Sequence, residues 1–367
     1  MGKYLEKQFP SIKNAVDGHI HMHRWREENG ETFIHGLEEY RKTCNLTYLT
    51  LASLPSGNPI PAPRDVSNNI MCAFYKLLNK NTFAYGGYIY PCYPPKSEDL
   101  VGMELTTQLD ELAEIGFDGI KMLEGKPNLY KKVGNPLDSE FFDAAFAKME
   151  KEGTPILMHV LDPAEFWTNP DEERVSKGWF YGDGTYPKIE ELYAQIDNIL
   201  EKYPKLKLCL AHFFFCSENP EKLERMFEKY ENLSIDITPG GEMYIGFAKR
   251  PEYFREFFQK YANRVCFGTD MDYPVYMEAG VWLCDREYRY FATDETLQSF
   301  ANHMIKGIAL PNECLQRIFS DNVIERFGGA PKEINKAALK KYIEKYKHLI
   351  IDKEFAAYID ELAKEYL

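Results

Sequence analysis

Asp17, His19, His21 and His23 stand at alternate positions in VDGHIHMH, a spacing that can put several metal-binding side chains on one face. In an extended strand, residues two apart point the same way, so His19 and His21 can bring two imidazoles to one ion. His159 ends TPILMHV, His212 comes at the end of KLKLCLAHF, and Asp270 ends RVCFGTD, each closing a different strand-like run. Singly, each has an ordinary role, as a buried histidine satisfied by a hydrogen bond or an aspartate capping a helix. Together, four strand ends deliver a histidine pair, two single histidines and an aspartate to one rim, which is the pattern of a metal site. Period-two counting puts His159 on the face of Leu157, and His212 on the face of Leu208 and Leu210, opposite Cys209 and Ala211. His23 continues the parity one step toward the loops. It pairs with His21 in place of His19, lines the substrate pocket, or sits beside Arg24 and Arg26. Asp17, two residues before His19, favours the pair His19 and His21.

Positioning these groups needs a repeated scaffold, and the chain has the cadence of one. Strand-like segments such as NLTYLTLASLP, TFAYGGYIYP, FDGIKMLEG and NLSIDITPG alternate with amphipathic helical stretches. Roughly eight such units are expected for a parallel (β/α)8 barrel, the TIM barrel, and no Gly-x-Gly-x-x-Gly follows the first strand to indicate a dinucleotide fold. Helices are expected to end near Gly116 and Gly153. Two connections read as long loops at the C-terminal ends of strands, LDPAEFWTNPDEERVSKGWFYGDGTYP and MDYPVYMEAGVWLCDREYRYFA. Phe166, Trp167, Trp179 and Tyr181 in the first are costly to expose, which predicts a lid. His23, Trp167, Trp179, Tyr273 and Arg289 are the candidate substrate-pocket residues, and Arg64, Arg174 and Arg286 are further loop cations able to hold a carboxylate. Past Gly329 two amphipathic helices are expected to pack outside the barrel or at a subunit contact. The reading is one domain over 1–367, with a barrel core at about 14–328 and C-terminal helices at about 331–367. His35 and His303 fall on predicted helices and His348 on a Lys-rich one, where structural or solvated roles suffice.

Composition bounds the partners. With 44% hydrophobic and 28% charged residues and no apolar run of membrane length, a membrane span is not expected. The N-terminal charges precede no apolar region of a secretory signal. Eight scattered cysteines without a Cys-x-x-Cys spacing suit reduced thiols in a cytoplasmic protein. A formal net charge of −13 argues against a nucleic-acid surface, which needs clustered Lys and Arg, and leaves a small molecule as the expected partner.

The motifs DGHIHMH, ILMHV, LAHFFF and FGTDMDYP, in this order over about Val16 to Gly328, resemble the amidohydrolase superfamily, specifically its amidohydrolase-2 branch of metal-dependent barrel hydrolases and decarboxylases. The last is similar to the branch's Gly-Ser/Thr-Asp-x-Pro pattern, with Met271, Asp272 and Tyr273 before Pro274. The resemblance implies His19, His21 and His159 as metal ligands and Asp270 as ligand or base. It makes His212 either a second-metal ligand or the group that orients and activates water. Lys121 stands where two-metal members carry a carboxylated lysine. An ordinary lysine paired with Glu124 or with substrate is the favoured reading, because the branch mostly works with one metal. A dimer is also what the resemblance implies.

The expected activity is hydrolysis of a C–N (amide) or C–O (ester or lactone) bond in a small, carboxylate-bearing substrate. A divalent ion, Zn2+ first with Mn2+ or Fe2+ as alternatives and one ion rather than two, would activate water. Asp270 would take its proton and His212 would serve the leaving group. Nonoxidative decarboxylation on the same residues is the alternative. A barrel that binds metal or ligand without turnover is the reading from a different class.

Overall fold

The structure, a computed structural model, describes residues 12–22, 32–57, 66–239, 241–273, 277–298 and 303–367. Nine strands form its main sheet: β1 (Val16–Met22), β2 (Tyr48–Ala52), β3 (Thr82–Gly87), β4 (Gly119–Gly125), β5 (Ile156–Val160), β6 (Leu208–Leu210), β7 (Ser234–Asp236), β8 (Val265–Cys266) and β9 (Met271–Tyr273). Their order is β8-β7-β6-β5-β4-β3-β2-β1-β9, and every neighbouring pair is parallel. The last strand of the sequence reading is therefore split, with β8 pairing to β7 and β9 to β1. Between them Gly18 N donates to Phe267 O at 3.0 Å and Asp270 N to His19 O at 2.9 Å, which carries the ladder back to the first strand. This is the expected (β/α)8 barrel.

Strands of a parallel barrel are apolar on both faces because each is covered twice. Inside, Val16, Ala52, Tyr85, Leu157, Cys209, Ala211 and Cys266 pack with Val323, whose helix Asn322–Arg326 plugs the N-terminal end. Phe327 stacks on Phe83 at 4.4 Å and seals the same end. Outside, Ile156, Met158, Leu208 and Leu210 belong to the larger core under the helices. The helices Leu105–Ile115 and Glu140–Glu152 end as expected, on left-handed Gly116 and Gly153. A side chain at Gly116 would also meet Glu333 O at 2.3 Å, since the C-terminal segment crosses there.

The C-terminal helices, Lys336–Tyr346 and Lys353–Tyr366, lie outside the barrel. Tyr342 OH accepts from Asn69 Nδ2 at 2.8 Å and Tyr346 OH donates to Glu111 at 2.7 Å, tying the first of them to two barrel helices. One expectation is corrected. MDYPVYMEAGVWLCDREYRYFA is no long loop, because Met277–Ala292 is a helix that buries Cys284, Tyr290 and Phe291. The other long connection, residues 161–188, holds only two short helices, Glu165–Thr168 and Glu172–Ser176. Among the described residues all eight cysteines are free thiols, and no helix is long and apolar enough to cross a membrane.

Candidate metal centre

The site begins with an irregularity in β1. Asp17 pairs with Leu49 and Ile20 with Leu51, so β1 spends one more residue than β2 across Gly18 and His19. Such a bulge re-aims side chains. His19 and His21 both turn inward, while Asp17 faces the outer core. There it accepts from Tyr40 OH at 2.7 Å, Thr269 Oγ1 at 2.7 Å, Thr269 N at 3.1 Å and His19 N at 3.2 Å. Burial lifts the Asp17 carboxyl to about 6 in spite of these donors. Gly18 is needed at the bulge, because a Cβ there would stand 2.6 Å from Phe267 O.

Hydrogen bonds fix the tautomers. His21 Nδ1 lies 2.9 Å from Ala52 O, which can only accept, so Nδ1 carries the proton and Nε2 a bare lone pair. His19 Nδ1 lies 2.9 Å from Asp236 Oδ2, and Asp236 is held well below the usual carboxylate range: burial opposes this, but His19, His212 and Thr238 outweigh it. His19 Nε2 is thus bare as well, and burial, reinforced by Lys121, lowers the His19 imidazole to about 4. The two Nε2 atoms are 3.1 Å apart, with Asp270 Oδ1 at 3.5 Å and 3.2 Å from them. That oxygen is buried and has no hydrogen-bond partner among the described residues, although the Asp270 side chain is 30% exposed. Asp270 is ionised, held well below its usual range against burial by His212, His21 and His19.

Lone pairs converge here in excess of protons, which repel unless a cation lies among them. Lys121 Nζ, 3.1 Å from His19 Nε2, supplies one N–H and leaves His21 Nε2 and Asp270 Oδ1 unserved. Burial brings the Lys121 ammonium down to about 8. The ligand atoms of His19, His21 and Asp270 all lie within 4.8 Å of one another. Two neutral imidazoles and a carboxylate fit a borderline divalent ion and leave coordination positions open.

His159 and His212 form the adjoining pair, with His212 Nε2 3.0 Å from His159 Nδ1 and 3.9 Å from Asp270 Oδ2. His159 is outside the 4.8 Å group among the described residues. Its Nε2 donates to Leu161 O at 2.9 Å, and burial first, then Lys126, lowers its pKa to about 3. His212 reaches the site by a route that period-two counting does not foresee. The inward face of β6 carries Cys209 and Ala211, so an unbroken strand would send His212 outward. Instead residues 212–215 all have φ between 51° and 57°. A left-handed residue costs roughly 1–2 kcal/mol. Phe213 and Phe214 are fully buried, Phe213 against Phe247 at 4.9 Å and Phe214 against Tyr193 at 4.9 Å, and each contributes about 1.5–3 kcal/mol. Asp270 is left-handed too, at φ 54°. Backbone strain concentrates where the site residues are aimed.

Asp236 and Thr238, at the end of β7, are site residues that the sequence reading missed. Asp236 Oδ1 accepts from His212 N at 2.8 Å and Thr238 Oγ1 at 2.6 Å, while Thr238 Oγ1 lies 2.9 Å from His212 Nδ1. One carboxylate therefore orients both His19 and the turn that carries His212. Its position at the C-terminal end of a strand was the available signal.

Of the candidate pocket residues, Trp167 and Trp179 lie on the 161–188 segment. Trp167 packs edge-on against Tyr181 at 4.9 Å, and Trp179 stacks with Phe166 at 6.1 Å. Tyr181 OH donates to Asp162 at 2.7 Å, and Asp162 pairs with Lys126, so the segment is pinned beside His159. Arg289 is engaged by Asp285 and Glu295, and Arg174 by Asp171 and Glu165. Arg286 lies over the Trp282 ring. His23, Arg64 and the Tyr273 side chain lie outside the described residues. His303 and His348 are exposed.

Solved structures share the architecture. An uncharacterised TIM-barrel protein from Bordetella bronchiseptica is 14% identical, with a TM-score of 0.50 over 80% of this chain and 82% of its own. A 5-carboxyvanillate decarboxylase from Novosphingobium aromaticivorans, complexed with manganese and 4-hydroxy-3-methoxy-5-nitrobenzoic acid, is 15% identical, with a TM-score of 0.50 over 89% and 99%. No curated protein matches. The amidohydrolase family model, amidohydrolase-2, matches residues 88–328, which include Lys121, His159, His212 and Asp270, while β1 with His19 and His21 lies outside the match. With the matched region covering most of the chain on this barrel, the protein belongs to the amidohydrolase family.

Proposed function

We propose that the protein is a metal-dependent hydrolase that cleaves a C–N or C–O bond in a small, carboxylate-bearing molecule. The observation that carries this is the convergence of His19, His21 and an ionised Asp270 whose buried oxygen has no hydrogen-bond partner among the described residues. His19, His21 and Asp270 would hold the ion, with His159 the next ligand in reach. A divalent ion there, Zn2+ in preference to Mn2+ or Fe2+, supplies Lewis acidity toward water and a substrate oxygen.

The protein's own groups divide the proton transfers. Asp270, an exposed carboxylate on its Oδ2 side, accepts a proton from the attacking water. His212 sits 3.9 Å from that oxygen and shares a proton with His159. Because His159 donates from Nε2 to Leu161 O, its Nδ1 accepts from His212 Nε2, from which the proton passes to the departing nitrogen or oxygen. Lys121 brings a cation to the edge of the cluster, suited to a substrate carboxylate. Residues 161–188, pinned through Tyr181 and Asp162, cover the rim with Trp167 and Trp179.

Decarboxylation, the reaction named for the Novosphingobium structure, would use the same groups, with the His212 proton going to carbon. The deciding experiment is an activity screen of metal-reconstituted protein on amides, lactones and aromatic acids, recording acid release and CO2 release separately. Hydrolysis without CO2 is the expected result. CO2 release without hydrolysis moves the assignment to decarboxylase, and inertness of fully loaded protein sinks both.

A further inference from the structure

A pocket of about 210 Å³ opens at the other end of the barrel from the metal centre, at the N-terminal ends of β7 and β8. Lys207, Arg264, Arg317 and Arg326 line it, against the carboxylates of Glu231 and Glu325, in a chain whose overall charge is −13. Arg317 is matched: its guanidinium forks onto Glu325 at 2.7 Å and 2.8 Å. Arg264 and Arg326 make no ion pair among the described residues. Arg264 donates to Leu233 O at 2.5 Å and to Tyr230 O, and Arg326 Nη1 donates to Lys207 O at 2.9 Å. Carbonyl oxygens hold these guanidiniums in place, and Glu231 offsets part of the Arg264 charge without an ion-pair contact.

Unserved donors stand in the same wall. Among the described residues, Arg326 Nε and Arg317 Nε are buried without an acceptor, a state that costs free energy until an acceptor arrives, and the Arg326 guanidinium otherwise faces the Cys266 thiol. Arg264 is held below its usual range by burial, with Glu231 acting against this and Arg326 acting with it, as expected of two cations that face one another across the pocket. The floor is rigid, because Asn322 Nδ2 donates to Ala262 O at 2.7 Å and Val265 O at 2.6 Å. Asn322 Oδ1 is a buried acceptor with no donor among the described residues, in the lining of the pocket where a hydroxyl could serve it.

We propose that this pocket binds a phosphate dianion, either free or carried by a small hydroxylated ester. Planar guanidiniums pair two N–H groups with two phosphate oxygens, and a dianion answers the excess of cations, Lys207 with Arg264, Arg317 and Arg326 against Glu231 and Glu325, that lines the pocket. This site is separate from the metal centre and does not depend on the reaction assigned there.

The test is calorimetric titration of the metal-loaded protein at low ionic strength with inorganic phosphate and with glycerol phosphate. Saturable one-to-one binding is expected that survives Asp270→Asn and weakens by about tenfold or more in Arg264→Gln. Tighter binding of glycerol phosphate identifies an ester as the ligand, whereas equal or tighter binding of phosphate identifies the free anion. No saturable binding of either probe overturns the proposal. So does binding that Asp270→Asn abolishes and Arg264→Gln leaves intact. If Arg264→Gln fails to fold, Arg326→Gln, read by the same titration, takes its place.

Discussion

Asp236 determines which nitrogen of His19 is free. By accepting from Nδ1 at 2.9 Å, it turns the Nε2 lone pair toward Asp270 and His21, and its other oxygen holds the turn at His212. Carboxylates behind a ligating histidine typically account for 10–100-fold in metal affinity. Asp236→Asn should therefore weaken the ion by roughly that factor in a chelator competition, with the fold retained. Unchanged affinity would mean that His19 is oriented by something else. His19, His21, His159, His212 and Asp270 could be read from the sequence because metal-binding side chains at strand ends are unusual as a set. Asp236 could not, since an aspartate after Ser-Ile is a common strand ending until its partner across the barrel is known.

The elements that aim these groups depart from regular strands. The β1 bulge moves Asp17 to the outer face although it shares parity with His19. The left-handed turn 212–215 moves His212 inward against the parity of β6. Period-two counting cannot detect either, because both are backbone choices stabilised by contacts distant in sequence. The helix Met277–Ala292 was hidden differently, by Gly280 and a dense run of charges that mask its apolar stripe of Cys284, Tyr288 and Phe291. The break between β8 and β9 is also tightly built. A Cβ at Gly268 would stand 2.7 Å from His19 Cβ, 2.9 Å from Thr238 Cγ2 and 3.0 Å from His19 N. None of those atoms is the end of a flexible chain. Gly268→Ala is expected to cost about 1–3 kcal/mol of stability by overpacking and to reduce metal content by displacing His19. Thermal unfolding and elemental analysis check both. An alanine variant matching wild type in the two measurements would show that β1 can yield there.

At the scale of the molecule, the eightfold cadence and the outer C-terminal helices were legible because they rest on apolar periodicity. The distribution of buried charge was not, because it depends on which helices meet. Glu287, on Met277–Ala292, is fully buried beside Tyr244. Burial, reinforced by Asp17, Asp236 and Asp270, raises its pKa well above the ordinary 4.5, with the Tyr244 hydroxyl acting the other way. A carboxyl whose folded pKa is raised binds more protons folded than unfolded. Its contribution is therefore complete below about 4.5 and is lost as pH climbs toward the folded value. Asp17, raised to about 6, acts in the same direction. Asp236 and Asp270, held low, act in the opposite one, so their stabilisation is lost as pH falls. Folding stability should thus decline on both sides, and the alkaline decline should depend on Glu287. Glu287→Gln keeps the shape and removes the titration. Its melting temperature, followed from acid to mildly alkaline pH, should gain on wild type steadily as pH rises while the acid limb stays the same. Parallel profiles for the two proteins would mean that Glu287 is already compensated, and that Asp17 and its neighbours set the alkaline limit.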